Sequence, residues 1–134
     1  MNDREHIINK LKVSGVTPTA QRIDIAQVIF ARPQHLSAED ILKEINQTSS
    51  SASKATVYNT LGLFAEKGLV KEVIVDPTKV FYDSNMSDHF HFFNVDTGVL
   101  TDIPLDAINI DTLPNLPEGT TSAGLEIVVR VKNS

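Results

Sequence analysis

Two histidines and two aspartates are the residues of this chain best suited to bind a metal ion. His89 and His91 are separated by one residue, and alternate residues of an extended strand face the same side, so both imidazoles can point at one ion. Asp83 precedes this pair closely enough to fold back as a third ligand, and Asp102 lies on the next predicted strand. Nitrogen and hard oxygen ligands without a thiolate suit iron, manganese, cobalt or zinc. The spacing therefore predicts a site for a divalent cation.

The same residues have other interpretations. Two histidines and one carboxylate can also hold a catalytic Fe(II) ion, and a His-Phe-His sequence also occurs on an ordinary solvated strand. The sequence offers no further general base beside the metal residues, no glycine-rich phosphate loop and no large substrate domain. We therefore do not expect an enzyme. A metal-free adaptor that binds protein through the acidic half of the chain is the third alternative.

Composition limits the class of protein. At 134 residues the chain has room for one ordinary domain or two small ones, and its 41% hydrophobic and 22% charged residues are typical of a soluble globular protein. The absence of cysteine excludes disulfides and thiolate zinc sites. No apolar run approaches the roughly 20 residues that cross a bilayer, and the charged start does not resemble a signal peptide. We therefore expect a cytoplasmic protein with no membrane partner.

Charge is divided unevenly along the chain. Residues 1–75 contain nine basic and eight acidic residues, whereas residues 76–134 contain three and nine. The near-neutral first part can present a basic face to nucleic acid, and the acidic second part can concentrate divalent cations. The division indicates two functional halves.

Helical periodicity dominates the first half. Gly15 suits a helix C-cap and Thr19 a helix N-cap, and after Gly68 the period changes to that of strands. The predicted elements are helices at Asp3–Val13, at Ala20–Ala31, from Ser37 onwards and at Lys54–Lys67, then strands at Leu69–Val75 and Lys79–Tyr82. Helices followed by a short hairpin are typical of a winged helix-turn-helix.

The second half reads as a small sheet, with strands predicted at His89–Val95, Val99–Ile103 and Gly124–Val131. Prolines argue against a long helix between the last two strands. We predict an α+β fold, with a winged-helix DNA-binding domain at 1–83 and a small α/β dimerisation and metal-sensing domain at 84–134. A unit of about 50 residues has a small core, so we expect a second copy to cover its exposed strand surface in a homodimer.

The helix before the predicted wing is the one that enters the major groove in this architecture. Its leading surface carries Lys54, Thr56, Tyr58 and Asn59. Lysine can neutralise phosphate, and the other three side chains can reach base edges or thymine methyl groups. Each residue alone is an ordinary polar surface residue, and Tyr58 alone is more typical of packing. The order of the elements favours DNA binding.

Several motifs together resemble the ferric uptake regulator (Fur) superfamily of metal-responsive repressors. The resemblance covers essentially the whole chain and is greatest to the iron response regulator (Irr) branch, with the peroxide-sensing PerR branch next. Its motifs are Thr17–Arg22, His35–Ile41, Ala55–Leu61, Glu66–Leu69 and Asp83–His91, with Asp88–Phe93, Asp102–Pro104, Leu116–Gly119 and Val128–Val131 indicating the Irr branch.

The resemblance implies one regulatory divalent metal ion per subunit, bound between the two domains with one ligand from the DNA-binding domain. That ligand corresponds to His35, a loop histidine before a helix on local evidence, and it adds to the four residues found by spacing. The implied ligand set is His35, Asp83, His89, His91 and Asp102. The implied metal is Fe²⁺ or Mn²⁺, with Zn²⁺ as a substitute in vitro.

The resemblance also implies a repressor of iron or metal homeostasis that binds an AT-rich, pseudo-palindromic operator as a homodimer. Many relatives have a lysine in a minor-groove arm where this chain has Thr17, so we expect that contact to be weaker or to shift to Lys12. Arg22 belongs to the same implied DNA-binding surface.

Departures from the family pattern remove other cofactors. A structural zinc held by two Cys-x-x-Cys pairs is lost, because Asn94 and Thr97 stand where the first pair would fall. Haem is doubtful, since Phe90 interrupts a run of histidines and no Cys-Pro motif exists. A second metal site is also depleted, with Phe90 and Asn109 at positions where ligands would be expected.

The inducer has two interpretations. Aspartate at positions 83 and 102 resembles peroxide sensors, in which bound Fe(II) oxidises a ligand histidine, here His35 or His91. The Irr-like framework covers more of the chain and favours iron or manganese sensing without oxidation.

Overall fold

The computed structural model describes residues 3–47, 52–76, 78–86, 89–109 and 113–134. It divides into two compact units, Met1–Met86 and Ser87–Ser134. None of the helices in these ranges combines the length and the apolar character needed to cross a bilayer.

The first unit is a set of helices with a small sheet. Its helices are α1 Asp3–Val13, α2 Ala20–Ile29, α3 Ala38–Gln47 and α4 Lys54–Glu66, and its strands are β1 His35–Ser37, β2 Lys71–Asp76 and β3 Lys79–Asp83. The strands form an antiparallel sheet in the order β1-β3-β2. The β2–β3 hairpin is therefore the wing that follows α4.

Side-chain caps define where the helices begin. Thr19 accepts a hydrogen bond from the Arg22 backbone N–H at 3.3 Å, as the sequence predicts for α2. At α3 the Ser37 N–H donates to the Asp40 carboxylate at 3.1 Å, and the Asp40 N–H donates to the Ser37 hydroxyl at 3.2 Å. This reciprocal pair satisfies two N–H groups that the helix itself cannot. Because Ser37 also ends β1, the capping pair fixes α3 to the sheet.

The core of the first unit is apolar and continuous across the helices. The largest fully buried apolar side chains are Leu11, Ile25, Ile29, Ile41, Ile45, Val57, Leu61 and Phe64. Complete burial of such side chains is worth about 1.5–3 kcal/mol each before entropy is counted. One face of α4 therefore packs against this core, and the opposite face is exposed.

The second unit contains β4 His89–Asn94, β5 Leu100–Pro104, a 3₁₀ turn at Leu105–Ala107 and β6 Val128–Val131. The strand order is β5-β4-β6, in which β4 pairs antiparallel with β5 and parallel with β6. A turn at 95–97 joins β4 to β5, and Gly98 follows it with φ 74°, a conformation that glycine adopts without strain. The central strand is thus the one that carries both histidines.

The structure differs from the sequence predictions mainly at element ends. α2 ends at Ile29 rather than Ala31, α4 ends at Glu66, and β6 is limited to Val128–Val131 rather than starting at Gly124. His35 lies on strand β1 and not in a loop, because His35–Ser37 pairs with the distant strand β3. Pro77 of the predicted hairpin turn and Asp88 of the histidine motif lie outside the described residues.

Candidate metal centre and nucleic-acid interface

The two histidines of β4 converge on one carboxylate of β5. His89 Nε2 lies 3.5 Å and His91 Nε2 3.6 Å from the same Asp102 oxygen, Oδ1. The two imidazole centroids are 4.6 Å apart, as expected for alternate residues on one strand. Asp102 is the register partner of His91 on β5, so strand pairing alone brings the three side chains together.

These distances distinguish two cases: hydrogen bonds among the three side chains, or nitrogen and oxygen atoms that are spaced as ligands of one metal ion. A direct N–H···O hydrogen bond has a donor–acceptor distance of about 2.7–3.2 Å, shorter than either separation. Two ligands at roughly 2.1 Å from a common ion and 3.5–3.6 Å from each other subtend an angle of roughly 115° at that ion. Nitrogen and oxygen donors at this spacing are therefore close enough to share one divalent cation.

The burial of this group also suits a ligand site. The His89 and His91 side chains are only 7% and 8% exposed, whereas Asp102 is 45% exposed. All three ligand atoms lie within 4.8 Å of one another. The two imidazoles are therefore largely shielded from water, and the carboxylate is partly accessible to it.

His35 and Asp83, the other two predicted ligands, meet in the first unit. They are register partners on the antiparallel strands β1 and β3, which places their side chains on the same face of the sheet. Asp83 is buried, and its Oδ1 accepts a hydrogen bond from the Asn85 N–H at 2.8 Å. The His35 ring lies edge-on to Phe81 with centroids 6.2 Å apart. The first unit thus contains two of the predicted ligands, and the second unit contains the other three.

The outer face of α4 carries the residues predicted to read DNA. Lys54, Tyr58 and Asn59 are exposed, and Thr56 is half-buried. The helix begins at the Ser53 cap, whose hydroxyl accepts a hydrogen bond from the Thr56 N–H at 3.1 Å. A firmly capped first turn is the part of such a helix that contacts base edges.

Tyr58 has a partner that the sequence does not reveal. Its hydroxyl donates a hydrogen bond of 2.5 Å to Oε1 of Glu39 on α3, and Lys54 Nζ lies 3.7 Å from the same oxygen and 5.8 Å from the Tyr58 ring centroid. The bond lowers the pKa of Glu39 and raises the pKa of Tyr58 to about 12. The phenol therefore stays protonated and the carboxylate ionised across the neutral range.

The residues implied for the minor-groove arm lie before and at the start of α2. Lys12 is exposed in the last turn of α1, and Thr17 is exposed in the connection between α1 and α2. The Arg22 guanidinium donates a hydrogen bond of 3.0 Å from Nη1 to the Thr17 carbonyl oxygen. Arg22 thus fixes the shape of the arm, and its other N–H groups can still reach a phosphate.

Asn94 and Thr97 take part in a hydrogen-bonded turn. The Asn94 Oδ1 accepts from the backbone N–H groups of Asp96 and Thr97 at 2.9 and 3.1 Å. Its amide donates to Asn133 Oδ1 at 3.0 Å, and the Asn133 N–H donates to Asp96 at 2.8 Å. We call these three residues, Asn94, Asp96 and Asn133, the asparagine clasp. It ties the β4–β5 turn to the segment after β6.

One face of the second sheet is open and largely apolar. A groove on this face is lined by Phe92, Asn94, Thr97, Val99, Thr101 and Val131. Phe92 and Val99 are 40% and 53% exposed. Exposed large apolar side chains grouped on one sheet are typical of a surface that another protein covers.

Comparison with known proteins supports this description of the molecule. The model of the ferric uptake regulator family matches residues 13–117. The peroxide operon regulator of Bacillus subtilis is 34% identical over 101 residues, which are 75% of this chain and 70% of that protein. The Irr branch stays a prediction, since this relative is named for peroxide regulation.

Solved structures share the fold. The ferric uptake regulator of Pseudomonas aeruginosa with manganese is 25% identical, with a TM-score of 0.71 over 93% of this chain and 96% of that one. The ferric uptake regulator of Vibrio cholerae is similar in fold, with a TM-score of 0.74, 22% identity and coverage of 94% and 98%. The α+β prediction is thereby confirmed. Because the family model spans most of the sequence and the similarity extends over both units, the chain belongs to the ferric uptake regulator family of metal-responsive, DNA-binding transcription regulators.

Proposed function

We propose that this regulator is a cytoplasmic, homodimeric repressor of iron or metal homeostasis. One divalent cation per subunit, Fe²⁺ or Mn²⁺, controls its binding to an AT-rich, pseudo-palindromic operator. The observation that carries the proposal is the convergence of His89 and His91 Nε2 on one Asp102 oxygen at 3.5 and 3.6 Å.

The proposed ligand set is His35, Asp83, His89, His91 and Asp102. Three imidazoles and two carboxylates neutralise a divalent cation and satisfy its preference for nitrogen and hard oxygen. Because the set draws on both units, the ion favours those arrangements in which all five side chains reach it. Differential affinity of this kind shifts the population between DNA-binding and non-binding states.

The proposed dimer surface is the groove face of the second sheet. Its exposed Phe92 and Val99 support this assignment, because a partner subunit would remove their apolar surfaces from water. A stable dimer buries roughly 800 Å² on each partner. We expect Phe92→Asp to shift the protein from dimer to monomer in analytical ultracentrifugation, while Leu113→Asp on the exposed segment 113–126 leaves the dimer intact. A Phe92→Asp protein that sediments as a dimer would contradict the assignment.

A mobility shift with operator duplex tests the central claim. The wild-type chain, a His89→Ala/His91→Ala variant and a His6→Ala control are compared with chelator and with Fe(II), Mn(II) or Zn(II), at one stated salt concentration. We expect metal-dependent binding from the wild type and the control only. Binding by the double variant that still responds to metal would exclude β4 as the sensor. Indifference of all three proteins to metal would favour a metal-free adaptor.

Peroxide sensing is the second candidate. It is favoured by aspartate at positions 83 and 102 and by the 34% identity to a peroxide operon regulator. The test exposes the Fe(II) form to stoichiometric peroxide and weighs the tryptic peptides. Oxygen addition to His35 or His91 with loss of DNA binding supports this alternative, whereas unmodified peptides with intact binding remove it.

A further inference from the structure

Glu39 has no assigned role in DNA recognition, yet it contacts two side chains of the proposed reading surface. It lies in the first turn of α3, and its side chain is 58% exposed beside α4. Tyr58 donates its hydroxyl hydrogen to Glu39 Oε1 at 2.5 Å, and Lys54 Nζ is 3.7 Å from the same oxygen. A carboxylate on a surface that meets phosphates is unfavourable for affinity, so its position needs another explanation.

The hydrogen bond to Glu39 determines whether the Tyr58 hydroxyl donates or accepts a hydrogen bond when it meets a base. A phenol has one donor hydrogen and acceptor lone pairs, and here the hydrogen is directed to Glu39. Its lone pairs remain available, and the ring is 38% exposed. In the major groove the matching donors are the exocyclic amines of adenine and cytosine, whereas guanine O6 and thymine O4 are acceptors.

We propose that Glu39 is a positioning residue that fixes the Tyr58 hydroxyl as a hydrogen-bond acceptor, so that Tyr58 selects a base with an exocyclic amine at one operator position. The same carboxylate holds Lys54 beside the Tyr58 ring, with Nζ 5.8 Å from its centroid, and limits its reach to phosphate. Glu39 therefore contributes to sequence discrimination at some cost in general affinity for DNA. This inference rests on the proposed operator binding and on the predicted position of α4 in the major groove.

The first experiment measures discrimination. A duplex is selected from a random pool with the Mn(II)-loaded wild type, and binding to it is compared with binding to each single-base variant and to a scrambled duplex. Loss of one hydrogen bond of about 1 kcal/mol corresponds to roughly fivefold. We therefore expect Glu39→Ala to lose about fivefold in preference at one amine-bearing position, and its salt dependence to steepen as Lys54 becomes free. Glu44→Ala removes the same charge from the same helix and should keep the preference.

The second experiment shows whether the effect acts through Tyr58. Tyr58→Phe should lose the same preference, and adding Glu39→Ala to it should cause no further loss at that position. Glu39→Gln retains an oxygen acceptor for the phenol but not the charge, so it should restore most of the preference. The chain has two tyrosines and no tryptophan, so in a Tyr82→Phe background tyrosinate absorbance reports Tyr58 alone. Its titration midpoint should fall towards about 10 in the Glu39→Ala protein.

Unchanged base preference in Glu39→Ala overturns the inference, whatever the titration shows, and so does a lost preference with an unshifted Tyr58 titration. Additive losses in the double variant also overturn it. If the wild type itself selects no duplex with any metal, the proposed function fails instead. Because Glu39 and Tyr58 are both exposed, the variants should fold, and circular dichroism checks this.

Discussion

Replacement of His91 by alanine tests most directly whether the β4 histidines bind the proposed metal ion. The substitution removes one of three donors that strand pairing holds together, since His91 Nε2 lies 3.6 Å from Asp102 Oδ1 and His91 is the register partner of Asp102. The remaining pair, His89 and Asp102, keeps its 3.5 Å separation. We therefore expect weaker metal binding without loss of the sheet.

The expected size follows from linkage. Changes to residues that only support metal ligands cost about 10–100-fold in affinity, so loss of a direct ligand should raise the Kd at least about 100-fold. At a free Mn(II) concentration of 100 times the wild-type Kd, metal stabilises the wild type by about 2.7 kcal/mol. At the same concentration the variant gains only about 0.4 kcal/mol. The difference is large enough to measure by urea unfolding.

The assay compares each protein with itself, with Mn(II) and with chelator. This cancels any change in the stability of the metal-free form, which matters because the His91 side chain is only 8% exposed. The matched control is His6→Ala, which removes an exposed histidine of α1 and should retain the full gain. A His91→Ala protein that gains as much from Mn(II) as the wild type would refute the assignment of β4 as a ligand strand.

Other predictions concern the helix cap, the arm and the asparagine clasp. Ser53→Ala removes the hydroxyl that accepts the Thr56 N–H at 3.1 Å and should lower the free energy of unfolding by about 1 kcal/mol, whereas Ser53→Gly should lower it by only a few tenths of a kcal/mol. Urea denaturation measures both changes, and equal losses of stability would contradict the capping role. Lys12→Ala should weaken operator binding and reduce the salt slope by about 0.9 in fluorescence anisotropy titrations, because one cation is removed from the predicted minor-groove arm; an unchanged salt slope would contradict a contact between Lys12 and DNA. Asn133→Ala should speed amide exchange at 94–99, because the Asn94 amide loses its acceptor at 3.0 Å; unchanged exchange would show that the clasp does not hold the turn.

The helices and the wing could be predicted from the sequence because their signals are local. α1 spans Asp3–Val13 as expected, and Thr19 caps α2 with the hydrogen bond that its side chain suggests. Gly68 follows α4 with φ 76°, and the Leu69 N–H reaches back to the Phe64 carbonyl at 2.8 Å. Each of these features depends on residues a few positions apart, so periodicity and capping chemistry are sufficient.

Strands with distant partners were harder to predict. Local sequence predicts a loop at His35, because only pairing with β3, nearly fifty positions later, makes His35–Ser37 a strand. The parallel pairing of β6 with β4 likewise joins distant residues and leaves no local signal in the sequence. The β4–β5 pairing was expected, because a turn-forming sequence separates two alternating runs. The register of that pairing places His91 opposite Asp102.

The hydrogen bond of Tyr58 is a feature that helical periodicity does not predict. Its place on the exposed face of α4 follows from helical spacing, but its bond to Glu39 depends on how α3 and α4 pack and joins residues 19 positions apart. Sequence periodicity assigns faces to helices and does not give the angle between them. Side-chain pairs between helices therefore cannot be predicted from periodicity alone.

The parallel pairing of β6 with β4 has a consequence for how the protein matures during synthesis. Helices and the wing hairpin close over short stretches of chain, whereas the second edge of the histidine strand waits for residues 128–131 to leave the ribosome. A nascent chain can therefore hold a folded first unit while the histidine strand β4 still lacks one of its two partner strands. Slower translation of the codons for residues 105–131 should lengthen the life of that intermediate.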